Sequence, residues 1–185
     1  MISVGKAVLK NHGIKIHNFR INQKPINMKL MNCVIPFNPN VYGEKNVSDD
    51  VKQTVSVTLN AKYYSHIQNL IDNIMDELEK EYPDIKNKFN SCLKPACDKY
   101  DALLRTQIFV EKCTYFNKDN TEISKPLNWR GLKCNVVINI SGVYVSKHAS
   151  GLVVRLTHLQ FDPHEISKSN PFSSEEVEES DSIII

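Results

Sequence analysis

From Leu127 to Phe161 the chain reads LNWRGLKCNVVINISGVYVSKHASGLVVRLTHLQF, and no other stretch limits the fold as strongly. Leu132, Cys134, Val136, Ile138 and Ile140 share one parity, with Lys133, Asn135 and Asn139 between them, and Leu152, Val154 and Leu156 repeat the pattern around Arg155 and Thr157. A period of two sends successive side chains to opposite faces of a strand. Both halves therefore predict half-buried strands, and their adjacency predicts one long β-hairpin whose turn lies near Gly142 and Gly151.

The rest of the chain is read against that hairpin. Val51 to Leu59 alternates in the same way, with Val51, Val55, Val57 and Leu59 facing inward. At Asn60 the period changes. Tyr63, Tyr64, Ile67, Leu70, Ile71, Ile74 and Leu78 recur at spacings of three and four, which predicts a helix capped by Asn60 and ended before Pro83. Its outer face, with Gln68, Asp72, Asp76 and Lys80, is polar and acidic, which leaves it in water and argues against contact with a polyanion.

Met28 to Phe37 and Leu103 to Tyr115 predict further strands, Asn117 to Asn120 a turn, and residues 85–99 a short second helix interrupted by Pro95. The first thirty residues suggest short strands or an extended arm. Several strands with one substantial helix between two of them predict a mainly β fold, an OB-like barrel over residues 1–163. Residues 164–185 are expected to form a flexible linker and a disordered acidic tail.

The net charge of +2 conceals a division along the chain. Ser169 to Ile185 holds five of the 21 acidic residues, Glu175, Glu176, Glu178, Glu179 and Asp181, and no Lys or Arg, so the body retains 23 basic against 16 acidic side chains. A basic body with an acidic tail suits a polyanionic partner, because the tail can occupy the basic surface when no ligand is present. Ile183, Ile184 and Ile185 then form an apolar tip on a charged tether, either a peptide offered to a partner's pocket or an accident of composition.

No apolar run reaches the ~18 residues that a membrane-spanning helix needs, and Met1 to Lys10 lacks a signal-peptide core. The five cysteines form no CxxC pair, so neither a disulfide framework nor zinc is expected, and the chain reads as intracellular and not membrane-bound. Phosphate-binding, dinucleotide-binding, zinc-protease and nucleophile-elbow motifs are all absent. His164 with Asp162 and Glu165 is the nearest approach to a metal cluster. No cofactor, no metal and no catalytic residue are expected.

A nucleic-acid groove needs cations for phosphates and aromatic faces for unpaired bases. Trp129 stands beside Arg130 and near Lys133; Tyr144, Lys147, His148 and Arg155 gather around the turn and the return strand; Tyr115 and Phe116 adjoin Lys112 and Lys118. For Trp129, Tyr144, Tyr115 and Phe116 the alternative is core or rim packing, and for Lys147 and His148 a solvated turn.

The Trp129 to Gly131 W-x-G, the long apolar hairpin with Gly142 to Val145 as G-x-Y-V, the helix between strands and the acidic tail together resemble the OB-fold single-stranded DNA-binding proteins of bacteriophages and large DNA viruses. The resemblance implies a non-enzymatic protein acting at sites of DNA replication and recombination. It assigns Trp129, Arg130, Lys133, Tyr144, Lys147 and Arg155 to DNA, and Glu175 to Ile185 to a polymerase or helicase. Tails of that family often end on an aromatic residue, whereas this one ends on three isoleucines. RNA is an alternative ligand, and a homo-oligomer is left open. The rival readings are a protein-interaction adaptor of a replisome or virion, and an enzyme built from His148, His158, Asp162 and Arg155.

Overall fold

The computed structural model describes residues 2–10, 14–21, 24, 26–41, 47–98 and 101–162; the expected linker and tail lie outside the described residues. The strands are β1 (Ile2–Val4), β2 (Val8–Leu9), β3 (Lys15–Ile21), β4 (Ile26–Ile35), β5 (Gln53–Leu59), β6 (Leu93–Lys94), β7 (Ala102–Ile108), β8 (Thr114–Phe116), β9 (Leu132–Val145) and β10 (Ser150–Phe161). One α-helix, α1 (Ala61–Glu79), stands between β5 and β7.

The expected hairpin is β9 and β10, antiparallel from Cys134 opposite Phe161 to Val145 opposite Ser150. Its turn lies beyond both glycines. Ser146 Oγ accepts from the Ala149 amide at 3.1 Å and donates to the Ala149 carbonyl at 2.7 Å. Gly142 sits inside β9 because β3 crosses there so closely that a Cβ would stand 2.3 Å from the His17 carbonyl oxygen. Gly151 lies under the Tyr144 ring, where a Cβ would meet the phenol oxygen at 2.8 Å.

Around the hairpin the sheet runs β4, β9, β10, β7, β5, antiparallel throughout except for the parallel β10–β7 pair. The ring closes from β5 back to the chain leaving β4. Asn40 and Thr54 exchange backbone hydrogen bonds of 3.0 and 2.7 Å, and the Val34 amide donates to Thr58 Oγ1 at 2.7 Å. The result is a small OB-like barrel of five principal strands. The inward parity predicted for the hairpin holds: Leu132, Cys134, Val136, Ile138, Ile140, Leu152, Val154 and Leu156 are all buried.

Asn60 caps α1 by accepting from the Tyr63 amide at 2.9 Å. Ile67, Leu70, Ile71, Ile74, Met75 and Leu78 are buried against the barrel, each such side chain contributing roughly 1.5–3 kcal/mol. The N-terminal arm consists of short strands, with β1 and β2 on β3, and β3 on the turn-proximal end of β9.

Three expectations are corrected. Val51 is not an inward strand position: β5 begins at Gln53, Val51 is 42% exposed, and Gln53 takes the first buried place with its amide donating to the Ser48 carbonyl. Over the described residues 85–98 no α-helix forms. Lys86–Lys88 makes a single 3-10 turn and Leu93–Lys94 pairs with β7, in a segment broken by Pro83 and Pro95. The strand expected over Leu103 to Tyr115 ends at Ile108; a 3-10 turn at Val110–Lys112 then redirects the chain into β8, which runs parallel to β10.

Candidate nucleic-acid interface

With the inward parity filled by the core, the alternate residues of β4, β9, β10 and β7 form the outer face of the barrel. Register lines them up. Asn27 lies opposite Asn139, Asn139 opposite Arg155, and Arg155 opposite Gln107, making one polar row across four strands. Asn139 Nδ2 donates to Asn27 Oδ1 at 2.8 Å, which fixes part of this row, and Arg155 stands exposed in it.

A groove begins beside that row. A hollow of about 190 Å³ is bordered by Lys29, Phe116, Asn120, Asn135, His158 and Gln160. It continues into a second hollow of about 380 Å³ lined by Asn32, Lys118, Lys133 and Asp162, with Asn135 and Gln160 common to both. The amides in the floor are ordered by one another: the Asn32 backbone amide donates to Asn135 Oδ1, Asn135 Nδ2 to Gln160 Oε1, and Gln160 Nε2 to Asn120 Oδ1, each at 2.9 Å. Asn32 has a φ of +56°, a left-handed conformation that asparagine tolerates, at an irregularity where β4 loses register with β9.

Charge separates this face from the helix side. Among the described residues none forms an ion pair with Lys29, Lys133 or Arg155, while Lys118 bridges to Asp162 at 3.0 Å. On the helix side Lys80 pairs with Glu77, Lys88 with Asp84, and Lys86 with both Asp76 and Glu79 at 2.9 and 2.8 Å. The hydrogen bonds that Lys86 donates to Glu79 and Asp76 hold its ammonium above its ordinary pKa. Exposed pairs of this kind stabilise little, but they neutralise the cations that make them.

The residues singled out in the sequence fall into three places. Lys133 and Phe116 line the groove, and Arg155 stands in the adjoining row. Tyr144, Lys147 and His148 lie at the far end of the hairpin, eleven or more residues from Lys133 along β9, on the order of 35 Å for an extended strand. There the neighbouring hollow is bordered by Glu81, Asp84 and Lys88 together with Val145 and Ser146. The third place is the core, which corrects two assignments.

Trp129 and Tyr115 are each 6% exposed and meet edge to face, with ring centroids 5.9 Å apart, so neither offers a face to a base. Tyr115 donates its hydroxyl to the Val110 carbonyl at 2.7 Å, and burial pushes its pKa above the ordinary value. Arg130 remains exposed at the rim. Asn38 Oδ1 accepts the Trp129 and Arg130 backbone amides at 3.0 and 3.1 Å, and Gly131 completes the turn with a φ of +78°.

Sequence reasoning did not assign Lys29, Asn135, His158 or Gln160 to the interface. Simple alternation would place His158 inside with Leu152, Val154 and Leu156. A register shift between Leu156 and His158 reverses the parity, so that Leu159 and Phe161 are buried and His158 is exposed. The signal was available, because the apolar positions change from even to odd numbers across Thr157.

No group of three or more His, Cys, Asp or Glu side chains placed to hold a metal occurs among the described residues; His164 and Glu165 lie outside them. No helix among them is long and apolar enough to cross a membrane. Arg155, His148, His158 and Asp162, the residues of the enzymatic rival, are divided between the two ends of the hairpin.

No family model matches the chain, and no curated protein matches it. Solved structures similar to it include a C-terminally truncated single-stranded DNA-binding protein from bacteriophage Enc34, 13% identical, covering 86% of this chain and 94% of that one, with a TM-score of 0.49. The Enc34 protein in complex with ssDNA is 14% identical, covering 86% and 91%, with a TM-score of 0.46. The single-stranded DNA-binding protein gp2.5 encoded by bacteriophage T7 is 11% identical, covering 74% and 91%, with a TM-score of 0.48.

Proposed function

We propose that this chain binds single-stranded DNA, without catalysis and with little sequence preference, along the outer face of β4, β9, β10 and β8. The observation that carries the reading is the groove in which Lys29, Lys133 and neighbouring Arg155 have no carboxylate partner among the described residues, while Phe116 and His158 border its wall. Cations there neutralise phosphates, and rings on the wall accept unpaired bases that a duplex keeps stacked inside itself. Coating exposed strands would serve replication and recombination inside the cell. The acidic tail, with Glu175, Glu176, Glu178, Glu179, Asp181 and the Ile183 to Ile185 tip, would compete for the same cations and recruit a polymerase or helicase.

Fluorescence anisotropy with a labelled ~30-nucleotide single strand and its duplex, at two salt concentrations, tests the reading. Preference for the single strand that weakens as salt rises supports it; absence of binding at low salt overturns it. A second reading, a protein-interaction adaptor, draws on Phe37 and Leu127, which are 56% and 100% exposed. It predicts no retention of oligonucleotides at all.

A further inference from the structure

Phe116 and His158 project from neighbouring parallel strands, and their rings lie parallel to within 14° with centroids 6.2 Å apart. That separation is that of an offset stack, and with His158 exposed and Phe116 half-buried the pair keeps ring surface open to a third flat group. The rings border the 190 Å³ hollow, with Lys29 on its rim and the ordered amides of Asn135, Asn120 and Gln160 in its floor.

The orientation of His158 is set by its neighbour. Thr157 Oγ1 donates its single hydrogen to the Val137 carbonyl at 3.1 Å, so toward His158 Nδ1, at 2.9 Å, it can act only as acceptor. Nδ1 therefore carries the hydrogen. In the neutral ring Nε2 is then left as an acceptor, and it has no partner among the described residues.

We propose that this hollow is a subsite for one unpaired nucleobase, stacked on the Phe116 and His158 rings, with His158 Nε2 accepting from a base N–H and Lys29 holding an adjoining phosphate. The inference rests on the single-strand reading above and adds to it a hydrogen bond from a base edge to His158 Nε2. It separates the work of the groove into a base-dependent part at Phe116 and His158 and a phosphate-dependent part at Lys29, Lys133 and Arg155.

The test compares oligo(dT) with an oligomer of abasic sites of the same length, which has the same phosphates and no bases. The full chain is expected to bind oligo(dT) about 5- to 100-fold more tightly, the range for loss of a stacked base. Phe116→Leu and His158→Gln should each reduce that ratio several-fold while leaving affinity for the abasic oligomer within about twofold. His158→Phe should retain most of the ratio by keeping a ring. Lys29→Ala should weaken both ligands alike and lower the salt slope by about one unit. Melting temperatures within a few degrees of the parent establish that the variants are folded. Equal affinity of the parent for both oligomers, or variants that keep the full ratio, would overturn the subsite and leave single-strand binding intact. Binding of neither oligomer by the parent overturns both readings.

Discussion

The two ends of the β9–β10 hairpin both alternate apolar and polar residues, in phases separated by register shifts in β10, and yet present different surfaces. At the end away from the turn, the outward positions Lys133, Asn135, His158 and Gln160 stand beside Lys29 and Phe116 and line an open groove. At the turn end, β3 crosses on Gly142, Tyr144 lies on Gly151, and the adjacent hollow is bordered by Glu81, Asp84 and Lys88, whose ammonium pairs with Asp84. Strand periodicity decides which way a side chain points. What other elements cover that face, and with what charge, decides whether it can meet a polyanion.

The largest expected effect concerns the core beneath the open end. Trp129→Ala should cost roughly 3–5 kcal/mol in chemical denaturation, as for other buried tryptophans. Trp129→Phe should keep DNA affinity within about twofold, whereas a large affinity loss in a folded Trp129→Phe would return this residue to the interface. Next comes charge. Reversing Lys29, Lys133 and Arg155 to Glu together should weaken single-strand binding by ~100-fold or more and flatten its salt dependence. The matching change at the turn end, Lys147→Glu with His148→Glu, should leave anisotropy titrations within about threefold.

A smaller effect is expected from the packing of the turn end. Gly142→Ala sets a methyl group against the His17 backbone and should lower stability by about 1–3 kcal/mol, while Lys133→Ala stays within ~0.5 kcal/mol, both read from denaturant midpoints. The smallest concerns the thiols. Cys33 and Cys134 face each other across β4 and β9; burial pushes Cys33 up to about 11 and Cys134 higher, and pushes Cys113 up to about 12. These thiols should react with a disulfide reagent at pH 8 only after unfolding, while exposed Cys97 reacts at once. Because their folded values are raised, the stability they contribute is complete below pH 9 and declines as pH rises toward 11, which a pH series of denaturation curves will register.

Much of this fold was legible in the residues. The Asn60 cap, the apolar spacing of α1 and the inward parity of β9 are local properties, and each appears where local rules put it. Non-local features were not. Nothing near Trp129 in sequence announces that Tyr115 will pack against it, or that Asn38 will hold its backbone. Lys133 and Arg155 were identified from composition around the hairpin, and Phe116 from its place beside Lys112 and Lys118, but Lys29 joins them only through the pairing of β4 with β9, which brings together residues about a hundred positions apart. His158 was hidden by a single register shift, a one-residue event that reverses every expectation after it.

Amide chemical-shift mapping of the ¹⁵N-labelled chain titrated with oligo(dT) tests the contrast between the hairpin ends most directly. The account predicts shifts concentrated on Lys29, Lys133, Asn135, Phe116, Arg155 and His158, with Tyr144, Lys147 and His148 unchanged. Shifts concentrated at the turn end, with the groove residues silent, would contradict it.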